Sequence, residues 1–157
     1  MTPDSVEARP LPPVEELAPL FPFLDRDEVR VFCSYLEMKE FPSDYVLMRE
    51  GEAGDYMGFL VGGKLAVKKE TSFPGRYILI AVIEPGSMVG EISVVEKGFR
   101  NATVVTMEPS RLLILTYDQM EKMLGQHPAL GIKLLKRIIH VIGYRLRKAS
   151  ERLSLIL

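Results

Sequence analysis

Between Met38 and Tyr117 the chain is cut into short runs of β-forming residues separated by turn residues. This cadence constrains the fold more than any other feature. "MKEF" precedes Pro42-Ser43-Asp44, "YVLMRE" precedes Gly51 to Asp55, and "MGFLV" precedes Gly62-Gly63. "KLAVKKE", "YILIAVIE", "TVVTM" and "RLLILTY" continue the series, broken by Pro74-Gly75, Pro85-Gly86 and Pro109-Ser110. Many short runs with turn signals at this density predict a β-sandwich, jelly roll or barrel. The Gly62-Gly63 pair predicts a tight hairpin between its flanking strands.

Helical patterns flank the β-rich segment. "DRDEVRVFCSYLE", residues 25–37, reads as an amphipathic helix with Val29, Phe32, Cys33 and Leu36 on one face and Asp25 as N-cap. After Tyr117, "YDQMEKMLGQ" reads as a short helix stopped near Gly125. His127-Pro128 opens a longer one, with proline tolerated in its first turn. Along that last helix Leu135, Ile139, Ile142, Leu146, Ala149, Leu153 and Ile156 follow alternating steps of four and three residues, a heptad seam. Ile132, Ile138 and Val141 offer a second apolar face for the β-domain. A helix apolar on two sides implies two partners, so residues 135–156 are expected to form a homodimer. Ahead of all this lies a proline-rich leader, residues 1–22, with prolines at 3, 10, 12, 13, 19 and 22. Proline removes donors and restricts its predecessor, so the leader is expected to be an extended, loosely held arm. The expected organisation is therefore arm 1–22, β-domain with its first helix 23–126, and C-terminal helix 127–157.

Composition narrows the function classes. The 157 residues carry a formal net charge of −1, which provides no global attraction to nucleic acid or anionic membrane. Hydrophobic content of 47% fits a globular chain with a real core, while no apolar run reaches the length of about 20 residues that a membrane span needs. The single Cys33 excludes an internal disulfide, and no Cys/His spacing suits a metal. The N-terminus lacks a signal-peptide pattern, so a cytoplasmic address is expected. His127 and His140 fall in no catalytic constellation, and no enzyme activity or cofactor is expected.

One stretch carries chemistry: "GEISVVEKGFRNATV", residues 90–104, an apolar run with an acid at one shoulder and a base at the other. Arg100 offers paired, charge-assisted donors suited to phosphate oxygens. A helix opening at Gly90 would aim backbone N–H groups around Ile92 and Ser93 at the same anion. Glu91, as an ionised acceptor, suits a sugar hydroxyl. The alternative is a Glu91–Arg100 ion pair closing an empty pocket.

With Pro85-Gly86 upstream, followed by Gly90, Glu91, Ile92, Ser93, then Arg100, Asn101, Ala102 and Thr103, the stretch resembles the phosphate-binding cassette of cyclic nucleotide-binding domains. "FPSDYVLMREGEAGD" and Gly63 resemble further marks of that family, and the likeness runs from about residue 21 to 153. The resemblance implies a mainly β jelly roll (β-roll) with flanking helices that binds cAMP or cGMP. It assigns Glu91 to the sugar hydroxyl, Arg100 to phosphate, and the backbone at Ser93 and Asn101 to phosphate, with Gly90, Ile92 and Ala102 completing the site. Two departures stand out: Asn101 replaces a smaller residue, and Gly58 stands where an aromatic is usual.

"RLRKASERL" is also similar to the dimerisation helix of catabolite-activator-type bacterial regulators, in which a Thr-Ser pair touches the base. Ala149 and Ser150 take those positions, implying a base contact for Ser150. With Leu157 as the last residue, no DNA-reading domain is expected, and the cations Lys133, Lys136, Arg137, Arg145, Arg147, Lys148 and Arg152 read as a solvated face. The leading expectation is a homodimeric sensor that shifts its C-terminal helices on binding a cyclic nucleotide. The alternative is a ligand-free module of the same fold that contacts a protein partner.

Overall fold

The computed structural model describes residues 6–157. Among the described residues nine strands form two antiparallel sheets. The first has the order β1 (Ala8–Arg9), β2 (Glu37–Phe41), β9 (Ser110–Thr116), β4 (Tyr56–Gly62), β7 (Met88–Val89). The second has the order β3 (Val46–Met48), β8 (Thr103–Thr106), β5 (Leu65–Glu70), β6 (Tyr77–Ile83). Every β-run of the sequence is a strand; the two-residue strands β1 and β7 are additions that only pairing reveals.

The "LLIL" run of β9 shows why the layers stack as they do. Leu112 and Ile114 join the core between the sheets, while Leu113 and Leu115 join a second core beneath the helices. Successive side chains of a strand point to opposite faces, so a strand buried on both sides is apolar at every position. The first sheet is thus the middle layer, between the second sheet and helices α1 (Val14–Leu17), α2 (Arg26–Cys33), α4 (Tyr117–Gln126) and α5 (Pro128–Ile156). Gly58 in β4 is a packing slot, since a Cβ there would lie 2.7 Å from Leu112 Cδ2.

Several expectations need correction. The part of the leader from residue 6 onward is not a loose arm; Pro3 lies outside the described residues. Ala8 and Arg9 pair with Lys39 and Met38, and Leu17 and Phe21 are 1% and 0% exposed. Phe21 stands edge-on to Phe32 at 5.1 Å and to Phe59 at 5.2 Å between ring centroids, pairs worth about 0.5–1.5 kcal/mol each beyond area burial. Apolar residues between the prolines outweigh the helix-breaking composition. Gly62-Gly63 does not close a hairpin: β4 and β5 belong to different sheets, and the pair carries the chain across. Gly63 has φ of +98°, and a Cβ there would lie 2.6 Å from Ser110 Cα. The helix expected over 25–37 is α2, and it ends at Cys33 rather than Glu37, because Glu37 already pairs with Ile114 in the sheet. Its start is as expected, a capping box in which Glu28 N–H donates to Asp25 and Asp25 N–H to Glu28.

On α5 the roll-facing side is Leu130, Leu134 and Ile138, all buried, with Val141 half-buried. Ile132, expected on that face, is 51% exposed and instead extends the heptad seam by one step. Ile139, Leu146, Leu153 and Ile156 of the seam are exposed.

Candidate functional site

Gly90 ends β7 in the left-handed region (φ +71°) and turns the chain into α3 (Glu91–Glu96). A side chain is disfavoured there twice over: by the positive φ, and because a Cβ would lie 2.6 Å from Arg100 Nη1 and 2.7 Å from Met48 Cε. After α3 the segment 98–103 runs back along residues 50–54. Gly54 N–H donates to Gly98 O (2.9 Å), Arg100 N–H to Glu52 O (2.8 Å), and Gly51 N–H to Arg100 O (2.9 Å). A cleft of about 520 Å³, open mouth included, lies between these segments, with Met48, Val67, Val89 and Val104 as its apolar wall.

Arg100 is the fixed charge of this cleft. It is 6% exposed and threaded between two glycines: a Cβ on Gly54 would lie 2.6 Å from its Cζ. Nη1 donates to Tyr56 O at 2.9 Å, and Cζ sits 4.4 Å from the Tyr56 ring centroid. Nη2 is buried with no hydrogen-bond partner. Burial pushes the guanidinium below its ordinary pKa, opposed by Tyr56, Asp55 and Glu91. A buried guanidinium donor without an acceptor is costly, and an anion entering the cleft would satisfy it.

Glu91 does not pair with Arg100. Its Oε1 accepts from Arg145 Nη1 at 2.9 Å, and Arg145 Nη2 donates to Ser87 Oγ (3.3 Å) and Met88 O (2.5 Å). Arg145, expected on the solvated face of α5, therefore bridges α5 to the acid of the cleft. A signal for it was present: Leu134, Ile138, Val141 and Arg145 continue one helical face in steps of four, three and four. Lys148 and Arg152 lie farther along α5, beside a wider groove against β6, where Arg152 Nη1 donates to Ile80 O at 2.8 Å.

The structure gathers Gly90, Glu91, Ile92, Ser93, Arg100, Asn101 and Ala102 around the one cleft, together with Arg145. Ser150 is exposed and does not line it within a single chain. Among the described residues no His/Cys/Asp/Glu cluster has a metal-binding arrangement, and no helix is long and apolar enough to cross a membrane.

Comparison with known proteins adds an independent line. The family model described as "Cyclic nucleotide-binding domain" matches residues 38–127, more than half of the chain. The "Cyclic AMP receptor protein" of Thermus thermophilus is 27% identical over 139 residues, covering 88% of this chain and 62% of that protein. The "CRP-like cAMP-activated global transcriptional regulator" of Mycobacterium tuberculosis is 24% identical, covering 87% and 59%. The chain thus spans about three fifths of the length of these relatives. A crystal structure of a cyclic nucleotide-binding domain from Methylobacillus flagellatus superimposes with a TM-score of 0.85 at 27% identity, covering 92% of this chain and 84% of that one.

Proposed function

The chain belongs to the cyclic nucleotide-binding domain family, and on that premise we propose that it is a regulatory, non-catalytic sensor for a 3′,5′-cyclic nucleotide, cAMP or cGMP. The observation that carries this reading is Arg100 Nη2, buried and without an acceptor in a cleft also lined by Gly90, Ser93 and Ala102. A cyclic phosphodiester supplies the missing acceptor as a monoanion, with Arg100 and the N–H groups of Ile92, Ser93, Asn101 and Ala102 as donors. Glu91 takes the ribose 2′-hydroxyl. Because Arg145 already holds Oε1 of Glu91, the hydroxyl shares that carboxylate with an α5 side chain, and ligand occupancy is coupled to the seating of α5. A ligand shifts a conformation only by its differential affinity for two states, and a carboxylate shared between ligand and helix supplies such a difference.

The exposed seam of α5 supports a homodimer through residues 135–156, with Ser150 of each copy reaching the other's base. A Leu146→Glu, Leu153→Glu variant is expected to sediment as a monomer where the parent sediments as a dimer. The proposed setting is the cytoplasm, with a downstream protein partner and no DNA contact by this segment. Regulator activity as in the relatives would require parts of those proteins that the match does not cover.

A ligand-free interaction module is the competing reading, and the Glu91–Arg145 ion pair is the observation on its side. A thermal-shift and calorimetry panel of cAMP, cGMP, cCMP and cyclic dinucleotides separates the two, since a ligand that binds only the folded state raises the melting temperature. Saturable binding of one cyclic mononucleotide that weakens about 10–100-fold in Arg100→Ala is expected, from about 1.5–3 kcal/mol for a charged hydrogen bond. No response from any member of the panel overturns the cyclic-nucleotide reading and favours the ligand-free module.

A further inference from the structure

Lys69 lies on β5, outside every motif that marks the cleft. Its ammonium donates to Asn101 O at 2.8 Å and to Glu50 Oε1 at 3.0 Å. Glu50 is itself held: its Oε2 accepts from Glu70 N–H at 3.1 Å, and its own N–H donates to Thr103 Oγ1 at 3.0 Å. Lys69 is therefore a bracket from the second sheet to one backbone carbonyl of segment 98–103.

That carbonyl matters because of what stands behind it. A trans peptide is planar, with its C=O and N–H pointing in opposite directions, and no cis bond occurs among the described residues. The carbonyl of Arg100 is tied to Gly51 N–H, which turns the Asn101 N–H the other way. The carbonyl of Asn101 is tied to Lys69, which turns the Ala102 N–H the other way. Asn101 and Ala102 both line the cleft. Two successive amides are thus aimed by anchors on their far sides, one a backbone N–H and the other a lysine.

We propose that Lys69 is a positioning residue for phosphate recognition: it holds and polarises the Asn101–Ala102 peptide so that Ala102 N–H donates to one oxygen of the bound cyclic phosphate. The inference deepens the cyclic-nucleotide reading and rests on it. Polarisation follows because a cation on a carbonyl strengthens the N–H of the same amide as a donor. The Lys69–Glu50 pair is solvent-accessible, with side chains 49% and 27% exposed. It therefore contributes little to stability, and its effect on binding is separable from an effect on folding.

The test compares wild type, Lys69→Met, Lys69→Arg and Arg100→Ala. Lys69→Met is expected to keep its melting temperature and to bind the cyclic mononucleotide about 3–10-fold more weakly, the size of one hydrogen bond. Lys69→Arg restores the affinity. The Rp and Sp phosphorothioate analogues replace one or the other exocyclic oxygen, so the ratio of their affinities changes in Lys69→Met if one oxygen loses its donor; a merely structural residue weakens both equally. In the ligand-free protein the Ala102 amide proton moves upfield in Lys69→Met. Unchanged affinity, an unchanged Rp/Sp ratio or an unmoved Ala102 resonance each overturns the inference. Wild type that binds no cyclic nucleotide overturns the functional reading and, with it, any role of Lys69 in phosphate recognition. Wild type that loses affinity in Arg100→Ala but not in Lys69→Met upholds that reading and removes the inference alone.

Discussion

Two arginines face the same cleft from opposite walls, and they are built in opposite ways. Arg100, on the β-roll wall, is buried, wedged between Gly54 and Gly90, and retains a donor with no acceptor. Arg145, on the helix wall, is 31% exposed at its side chain and fills its donors with Glu91, Ser87 and Met88. A cation that is tightly wedged and not satisfied is suited to receive an anion. One that is satisfied by bonds it can exchange is suited to link the cleft to the helix that carries it. In the proposed reading the same guanidinium serves recognition on one side and communication on the other, decided by packing rather than by chemistry.

The most severe way to break this contrast is to displace Arg100 without removing its charge. Gly54→Ala places a methyl 2.6 Å from Arg100 Cζ at a residue with no positive φ, so the guanidinium must leave its seat. Cyclic-nucleotide affinity should fall about 10–100-fold by calorimetry, as in Arg100→Ala; binding at wild-type strength would show that charge alone suffices. Next in size, Glu91→Gln removes the charge of the shared acceptor and replaces one of its oxygens with a donor. The preference for ribo over 2′-deoxyribo ligand should shrink about 5–10-fold, and equal losses for both ligands would remove Glu91 from the sugar.

Arg145→Ala sharpens the other side. Losing a partly exposed charged hydrogen bond should lower stability by about 1 kcal/mol, or about 2–4 °C in melting temperature. Affinity should change less than about threefold, since Glu91 gains freedom while the helix loses its tie; a loss as large as that of Gly54→Ala would make the two arginines equivalent. Smallest is an acid effect at Glu50. The Glu70 N–H and then the Lys69 ammonium hold its carboxyl below the usual range. A depressed folded-state pKa contributes stability that is present above the unfolded value, about 4.3, and is lost as pH falls through the lowered one. Glu50→Gln should flatten that acid limb slightly in pH-dependent melts, and an unaltered limb would show the pair to be energetically silent.

How much was readable along the chain differs between these walls. The roll wall is local: Gly90 to Ala102 are near neighbours in sequence, so spacing sufficed to gather them. The helix wall is not. Arg145 lies 54 residues from Glu91, and among the many cations of α5 only the direction of one helical face distinguishes it. Gly54 and Lys69 were hidden for the same reason. One is a turn glycine whose neighbour is Arg100, the other a strand lysine whose partner is a carbonyl, and neither relation leaves a trace in residue type. Likewise the proline-rich leader conceals Leu17 and Phe21, whose burial depends on a pocket among α2, β4 and β9 that exists only once the sheets are stacked.

Alternation, turn residues and helical periodicity are short-range properties, and they were enough to determine that this chain makes short strands, a helix capped at Asp25 and a long last helix. Which strands share a sheet, which cation reaches Glu91, and why Arg100 is left with an unmet donor depend on contacts between segments far apart in sequence. Those were decided by the packing of three layers, because only there do burial and the exclusion of water assign each polar group its partner.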